Sequence, residues 1–332
     1  MCIRVVSAAL LMLFSAVDKA DALACSITGI SGGYGTIDLL PGTAIDSTAT
    51  ITVTCSGGSA NQALRFCLNI GAGATTLGPS NERVIRSSTD YIDSEFYFNS
   101  SRTQIWGSWG IGAATAYPTA SPAGIQQDVT LNSSGNGTFN YTVYARIAAS
   151  QKTKTPGSYS WTASSPTVQY RAQSGASACP TNGGFADAGS SSFTATVNAN
   201  CNISTTTMNF GSNAPTIASN IDSTATITAQ CTNSTPYSIG LSNGTNASGS
   251  QNRMRLGATA NFLNYHLYTD SARSHVWATT TSTTSCTGGA STCVLGTGTG
   301  SNQNTTVYGR VPPQTALAAG SFTDTVVVTI TF

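Results

Sequence analysis

An eight-residue string, IDSTATIT, occurs twice in this chain, at residues 45–52 and 221–228. Each copy ends three residues before a cysteine, Cys55 and Cys231, and each of these lies thirty residues after an earlier one, Cys25 and Cys201. A repeat of this length with matched cysteine spacing is a duplicated domain rather than a short solenoid unit. The chain must therefore build one fold twice, and each copy is a control for the other. The match continues. Residues 81–106 equal residues 252–277 in length, with Tyr97/Tyr268, Arg102/Arg273 and Trp106/Trp277 in register. Residues 143–146 match 307–310, and residues 156–159 match 319–322.

The repeated stretch alternates. Ala49, Ile51, Val53 and Cys55 share one face, with Thr48, Thr50, Thr52 and Thr54 opposite. Ala225, Ile227, Ala229 and Cys231 do the same in the second copy against Thr224, Thr226 and Thr228. Apolar-in, threonine-out strands punctuated by Gly, Asn and Ser predict β-sandwiches, and no long segment has a helical period. The expectation is all-β, two immunoglobulin-like sandwiches in tandem, each stapled by a disulfide on its apolar face.

Residues 1–24 read as a signal peptide. Arg4 precedes an apolar run over residues 5–17, and Ala22-Leu23-Ala24 is an A-x-A cleavage site. That run is too short for an ordinary membrane span, and no later stretch approaches one. Cleavage removes Cys2 and leaves Cys25, Cys55, Cys67, Cys179, Cys201, Cys231, Cys286 and Cys293. A cysteine at the mature start is also where a lipid anchor attaches, but its counterpart Cys201 explains Cys25 without one. The repeat suggests Cys25–Cys55 and Cys201–Cys231. Cys286 and Cys293 suit a local ring, and Cys67 and Cys179 pair by elimination. Eight cysteines allow on the order of a hundred connectivities, so other pairings stay open. Leu64, Phe66, Leu68 and Ile70 share a face from which Cys67 points away, placed to hold a surface segment such as the one bearing Cys179.

Charged residues are 8% of the chain, against about 25% in ordinary domains. A net charge of +1 supplies no field for nucleic acid or anionic membrane. His266 and His275 are the only histidines, and His266 alternates with Tyr265 and Leu267 as a strand residue. No His/Cys/Asp cluster has metal spacing, so no catalytic, cofactor or metal residue is assigned. Glu82 and Glu95 are the only glutamates. A secreted carbohydrate-active enzyme would need both in one cleft.

The boundaries read as a signal peptide to residue 24, an N-terminal domain over 25–175, a tail over 176–191 and a C-terminal domain over 192–332. The last opens with a strand bearing Phe193, Ala195 and Val197. In its final strand Val326, Val328, Ile330 and Phe332 share one face, and no segment follows to cover the neighbouring edge. A sandwich of this type needs roughly seven strands, and the second copy counts one short. An open apolar edge invites another chain to fill it. The copies differ elsewhere. The segment after Trp106 carries Trp109, Ile111 and Tyr117 among glycines and is seven residues longer than the polar segment after Trp277. Leu39 and Leu40 add a second apolar stretch. Such groups on loops bind surfaces or fold back to cap their own core. Trp106, matched by Trp277, reads as core.

These residues resemble the spore coat protein U family. The motifs are Cys201, Cys231, Asn252-Arg253, Tyr265-His266-Leu267-Tyr268, Trp277, Val307 to Arg310 and the terminal strand Gly320 to Ile330. They span nearly all of the second copy. The first copy matches more loosely and carries Pro166 in its last strand, which a central strand would not tolerate. The resemblance implies pilin-like domains of archaic (Csu-type) chaperone–usher pili, completed by a strand donated from a neighbouring subunit. Two domains, with no segment ahead of Cys25 once the signal peptide is cut, look like the tip adhesins of such pili. The implied function is non-enzymatic attachment to abiotic or host surfaces and biofilm formation. The implied partners are a periplasmic chaperone, an usher and the adjacent pilin subunit. The implied route is export to the periplasm and then to the cell surface at the pilus tip. The alternatives are a structural coat or shaft protein and, behind it, the secreted enzyme.

Overall fold

Threonine-faced alternation forms the strands it predicts. The computed structural model describes residues 22–73, 77–79, 82–108, 124–163, 168–175, 177–179, 185–280, 282–289, 291–315 and 318–332. Among them there are strands and no helix, hence no helix long and apolar enough to cross a membrane. The first copy contributes β1 (Ala24–Ile27), β2 (Ser31–Ile37), β3 (Ile45–Ser56), β4 (Ala63–Ile70), β5 (Val84–Arg86), β6 (Tyr91–Tyr97), β7 (Ile125–Thr130), β8 (Gly137–Ile147), β9 (Gly157–Ala163) and β10 (Val168–Ser174). Two short elements follow, β11 (Ala186–Asp187) and β12 (Ser191–Val197). The second copy contributes β13 (Cys201–Thr205), β14 (Thr216–Ile217), β15 (Ile221–Cys231), β16 (Pro236–Leu241), β17 (Asn252–Leu256) and β18 (Phe262–Tyr268). It ends with β19 (Val294–Thr297), β20 (Gln303–Val311), β21 (Gln314–Thr315), β22 (Phe322–Thr323) and β23 (Val328–Thr331).

The repeat is repeated in topology. One sheet of the first domain runs β1-β3-β8-β6-β5-β9-β12-β2, and the corresponding sheet of the second runs β13-β15-β20-β18-β17-β22 and stops. The facing sheets are β11-β10-β4-β7 and β19-β16-β23. Ile51 and Val53 from one sheet meet Leu64, Phe66, Leu68 and Ile70 from the other in the first core. Ile227 and Ala229 meet Tyr237, Ile239 and Leu241 in the second. Trp106 and Trp277 are buried, and each indole N–H donates to a strand carbonyl, Leu68 O at 3.3 Å and Ile239 O at 3.1 Å.

All four disulfides form: Cys25–Cys55, Cys67–Cys179, Cys201–Cys231 and Cys286–Cys293. Cys67 is fully buried although it stands outside the core cluster, with Cys179 bonded to it. The shared motif residues have a shared task. Asp46, the second residue of IDSTATIT, accepts two hydrogen bonds from Arg146 at 2.7 and 2.9 Å and pairs with Arg102 at 3.2 Å. Asp222 repeats this with Arg310 at 2.7 and 2.9 Å and Arg273 at 3.3 Å. The paired arginines hold both carboxyls below their ordinary range, the hydrogen bonds from Arg146 and Arg310 being the largest cause.

One strand lies elsewhere than its sequence position suggests. Phe193, Ala195 and Val197, read as opening the second domain, sit on β12 in the first domain's sheet. There β12 runs antiparallel to β9 and parallel to β2. Alternation states which side chains share a face, not which edge receives them. The edge of β9 receives them because the Phe193 ring packs edge-on against Tyr34 and Phe96, at centroid distances of 5.1 and 5.3 Å.

Candidate strand-binding groove

Among the described residues, the place that β12 fills in the first domain is open in the second. Within each sheet β22 has a partner on one side, β17, and β23 has one, β16. Residues 207–213 stand at the same distance from Cys201 as β2 from Cys25, yet they form no strand, since no strand lies beside them to pair with. Between these edges runs a groove in two stretches, of about 380 and 610 Å³, joined at Met208, Phe210, Met254 and Phe322. Ile227, Leu241, Leu267 and Val307 line its depth, and residues 322–326 and Val328 form one wall.

The matched positions record the missing strand. Tyr159 is 1% exposed under β12, whereas its counterpart Phe322 is only half-buried. Ala49 is buried and Ala225 half-buried. Ile37 is buried and its counterpart Asn213 exposed. Of the four predicted groove residues, Val326 and Val328 line the groove, Ile330 packs partly buried against the core, and Phe332 is 48% exposed.

The wall is held by its motif aspartate. Asp324 accepts hydrogen bonds from Tyr265 Oη at 2.7 Å, Thr245 Oγ1 at 3.0 Å and the Asn246 backbone N–H at 3.1 Å. Burial, then the adjoining carboxylate, push the Tyr265 phenol well above its ordinary range, so it remains a donor to Asp324. The backbone crossing from β22 to β23 is pinned further by Ser242, whose Oγ accepts from Val327 N at 2.9 Å. Main-chain edges, an apolar floor and a fixed wall are what an added β-strand requires. Sequence reasoning missed Met208, Phe210, Met254 and Phe322 as lining residues. Aligning Gly32 with Met208 and Tyr34 with Phe210 through the repeat points to two of them.

The predicted surface-binding residues fall differently. Leu39 and Leu40, read as exposed on a loop, are instead buried, at 3% and 2% exposed, and Leu39 belongs to the first core. The turn is closed by Gly42 N donating to Leu39 O at 3.0 Å, and Leu40 N donates to Asp38 Oδ1 at 2.9 Å. Trp109, Ile111 and Tyr117 lie outside the described residues. Glu95 is occupied structurally. It accepts from the buried Arg83 guanidinium and, at 2.8 Å, from the Phe96 amide. Neither Glu82 nor Glu95 lines either stretch of the groove.

The chain is similar to a chain in the crystal structure of the CsuC–CsuE chaperone–tip adhesion subunit pre-assembly complex from archaic chaperone-usher Csu pili of Acinetobacter baumannii. The TM-score is 0.52 at 17% identity, covering 93% of this chain and 100% of that one. It is also similar to the CupB6 tip adhesin of Pseudomonas aeruginosa, at TM-score 0.38 and 12% identity over 94% of both chains. No curated protein matches it. The Spore Coat Protein U domain matches twice, over residues 12–164 and 188–329, and the chain belongs to that family.

Proposed function

We propose that this chain is a non-enzymatic tip adhesin of a chaperone–usher pilus, exported to the periplasm and displayed at the cell surface. The observation that carries the reading is the apolar groove of the second domain, open where the first domain holds β12. A strand from a periplasmic chaperone fills it first, and the adjacent pilin subunit's strand replaces that one as the usher assembles the fibre. The fold likeness to a chain of a chaperone–tip adhesion subunit complex supports this. The mature chain alone should aggregate on refolding. Co-refolding with a periplasmic chaperone, or with a peptide of alternating apolar residues, should keep it soluble, because its free edge and apolar floor are then covered. A soluble monomer indifferent to both additives contradicts the reading.

The first domain is the attachment end. Its groove is closed, and the apolar segment bearing Trp109, Ile111 and Tyr117 has no counterpart in the second domain. Contact by such groups removes apolar area from water, worth about 1.5–3 kcal/mol per side chain, and suits abiotic surfaces. Trp109→Ser with Ile111→Ser should abolish attachment to hydrophobic plastic, and with it biofilm formation, at unchanged melting temperature and piliation. Retained adhesion, or adhesion lost together with the fold, contradicts it.

A further inference from the structure

The strand that completes the first domain belongs by family to the second. The second family match begins at residue 188, ahead of β12, and Val197 precedes the second domain's first cysteine by only four positions. In space β12 occupies the first domain's counterpart of the open groove. Its alternation is clean: Phe193, Ala195 and Val197 are 0%, 2% and 2% exposed, while Ser192, Thr194 and Thr196 face out.

The receiving side is shaped for a backbone. A Cβ on Gly32 would stand 3.1 Å from the Phe193 ring, and one on Gly33 would strike the Thr194 carbonyl. Glycine in a strand is the usual mark of another backbone approaching closely. The pairing shifts register between Thr194 and Ala195, opposite Gly35 at φ +69°. No disulfide involves β12. The two bridges of the first domain use cysteines before it, and the two of the second use cysteines after it.

We propose that the groove between β9 and β2 is a strand-binding site and that β12 is the second domain's leader, bound there in cis. The ligand class is an extended segment with apolar residues at every second position. The first domain holds it by ladder hydrogen bonds and burial, and chain continuity on the first domain's side is dispensable. The inter-domain junction then has the form of a junction between two subunits, made within one chain.

The test cuts the full mature protein, disulfides intact, on either side of this strand. A protease recognition sequence is inserted between Gly189 and Ser190 in one variant and between Asn198 and Ala199 in another. Each uncut variant is first matched to the unmodified protein by elution volume. After native cleavage, the upstream-cut protein should elute as one species at the intact volume, and the downstream-cut protein should separate into two. Separation of the upstream-cut halves overturns the proposal. Persistent association of the downstream-cut halves also overturns it, because the domain faces rather than β12 would then be the bond. A Phe193→Asp variant of the full chain supplies a second measurement. Its first domain should lose protease resistance and regain it when refolded with a synthetic peptide of residues 188–200. The same peptide carrying Phe193→Asp should restore nothing. Retained resistance in the variant, or no rescue by the native peptide, contradicts the assignment.

Discussion

Asn99 and Asp270 occupy the same place in the two copies and differ by one ionisable group. Asn99 Oδ1 accepts the backbone N–H of Thr103 at 3.1 Å and of Gln104 at 3.0 Å. Asp270 accepts those of Ser274 at 3.0 Å and His275 at 2.9 Å, together with the Ser274 hydroxyl at 2.8 Å. The backbone donor of His275, most of all, lowers the Asp270 carboxyl to about 2. Its unfolded value is about 3.9. A depressed folded value adds stability above the unfolded one, and that stability is lost as pH falls toward the folded one. Asp270→Ala should therefore lower the second domain's melting temperature at pH 7, with the gap closing between about pH 4 and pH 2. Asn99→Ala should lower the first domain's melting temperature by an amount that does not change over that window. Thermal melts of both variants against pH check this, and a pH-independent gap for Asp270→Ala counts against it. At this scale the motif residues were legible in sequence while some of their settings were not. Leu39 and Leu40 carry the same composition whether exposed or buried, and it is the folded turn that shows them buried.

At the scale of elements, β12 sets a rule for what enters the second groove. Phe193, Ala195 and Val197 stand eight, six and four positions before Cys201. A neighbouring subunit's leader that fills the second groove in the same way carries apolar residues at those distances from its first cysteine. A slip of one residue sends every side chain to the opposite face. Residues 188–200 grafted ahead of Cys25 should offer a strand to the second groove of a neighbouring copy, and the variant should form head-to-tail polymers on native gels. Deleting Thr194 from the graft, which puts Phe193 on the face opposite Ala195 and Val197, should abolish them. Equal polymers from both grafts refute the register, and polymers from neither count against the groove itself. Strands and faces were readable from the repeat, because identical alternation with identical cysteines folds identically, whereas the order of the strands in each sheet was not. The docking of β12 was not readable, because periodicity carries no information about which exposed edge a strand meets. One signal was present. An alternating strand precedes Cys201, with Val197 only four positions ahead of it.

For the whole molecule, two copies of one sandwich differ at one place: the first holds β12 of its own chain there, and among the described residues no strand occupies it in the second. The closed copy buries Tyr159 and Ile37, and the open copy leaves Phe322 half-buried and Asn213 exposed. That contrast suits a molecule with one end turned to a surface and the other to a fibre. Hydrogen exchange on the unmodified mature chain tests it most directly, because peptides from the two copies report the matched edges in one experiment. The backbone of residues 157–163, paired with β12, should be protected in the free protein, and residues 320–328, paired on one side alone, should exchange faster. Adding a donor-strand peptide should protect residues 320–328 and leave residues 157–163 unchanged. Equal protection of the two edges in the free protein, or no response at residues 320–328 to a bound strand, would contradict the account.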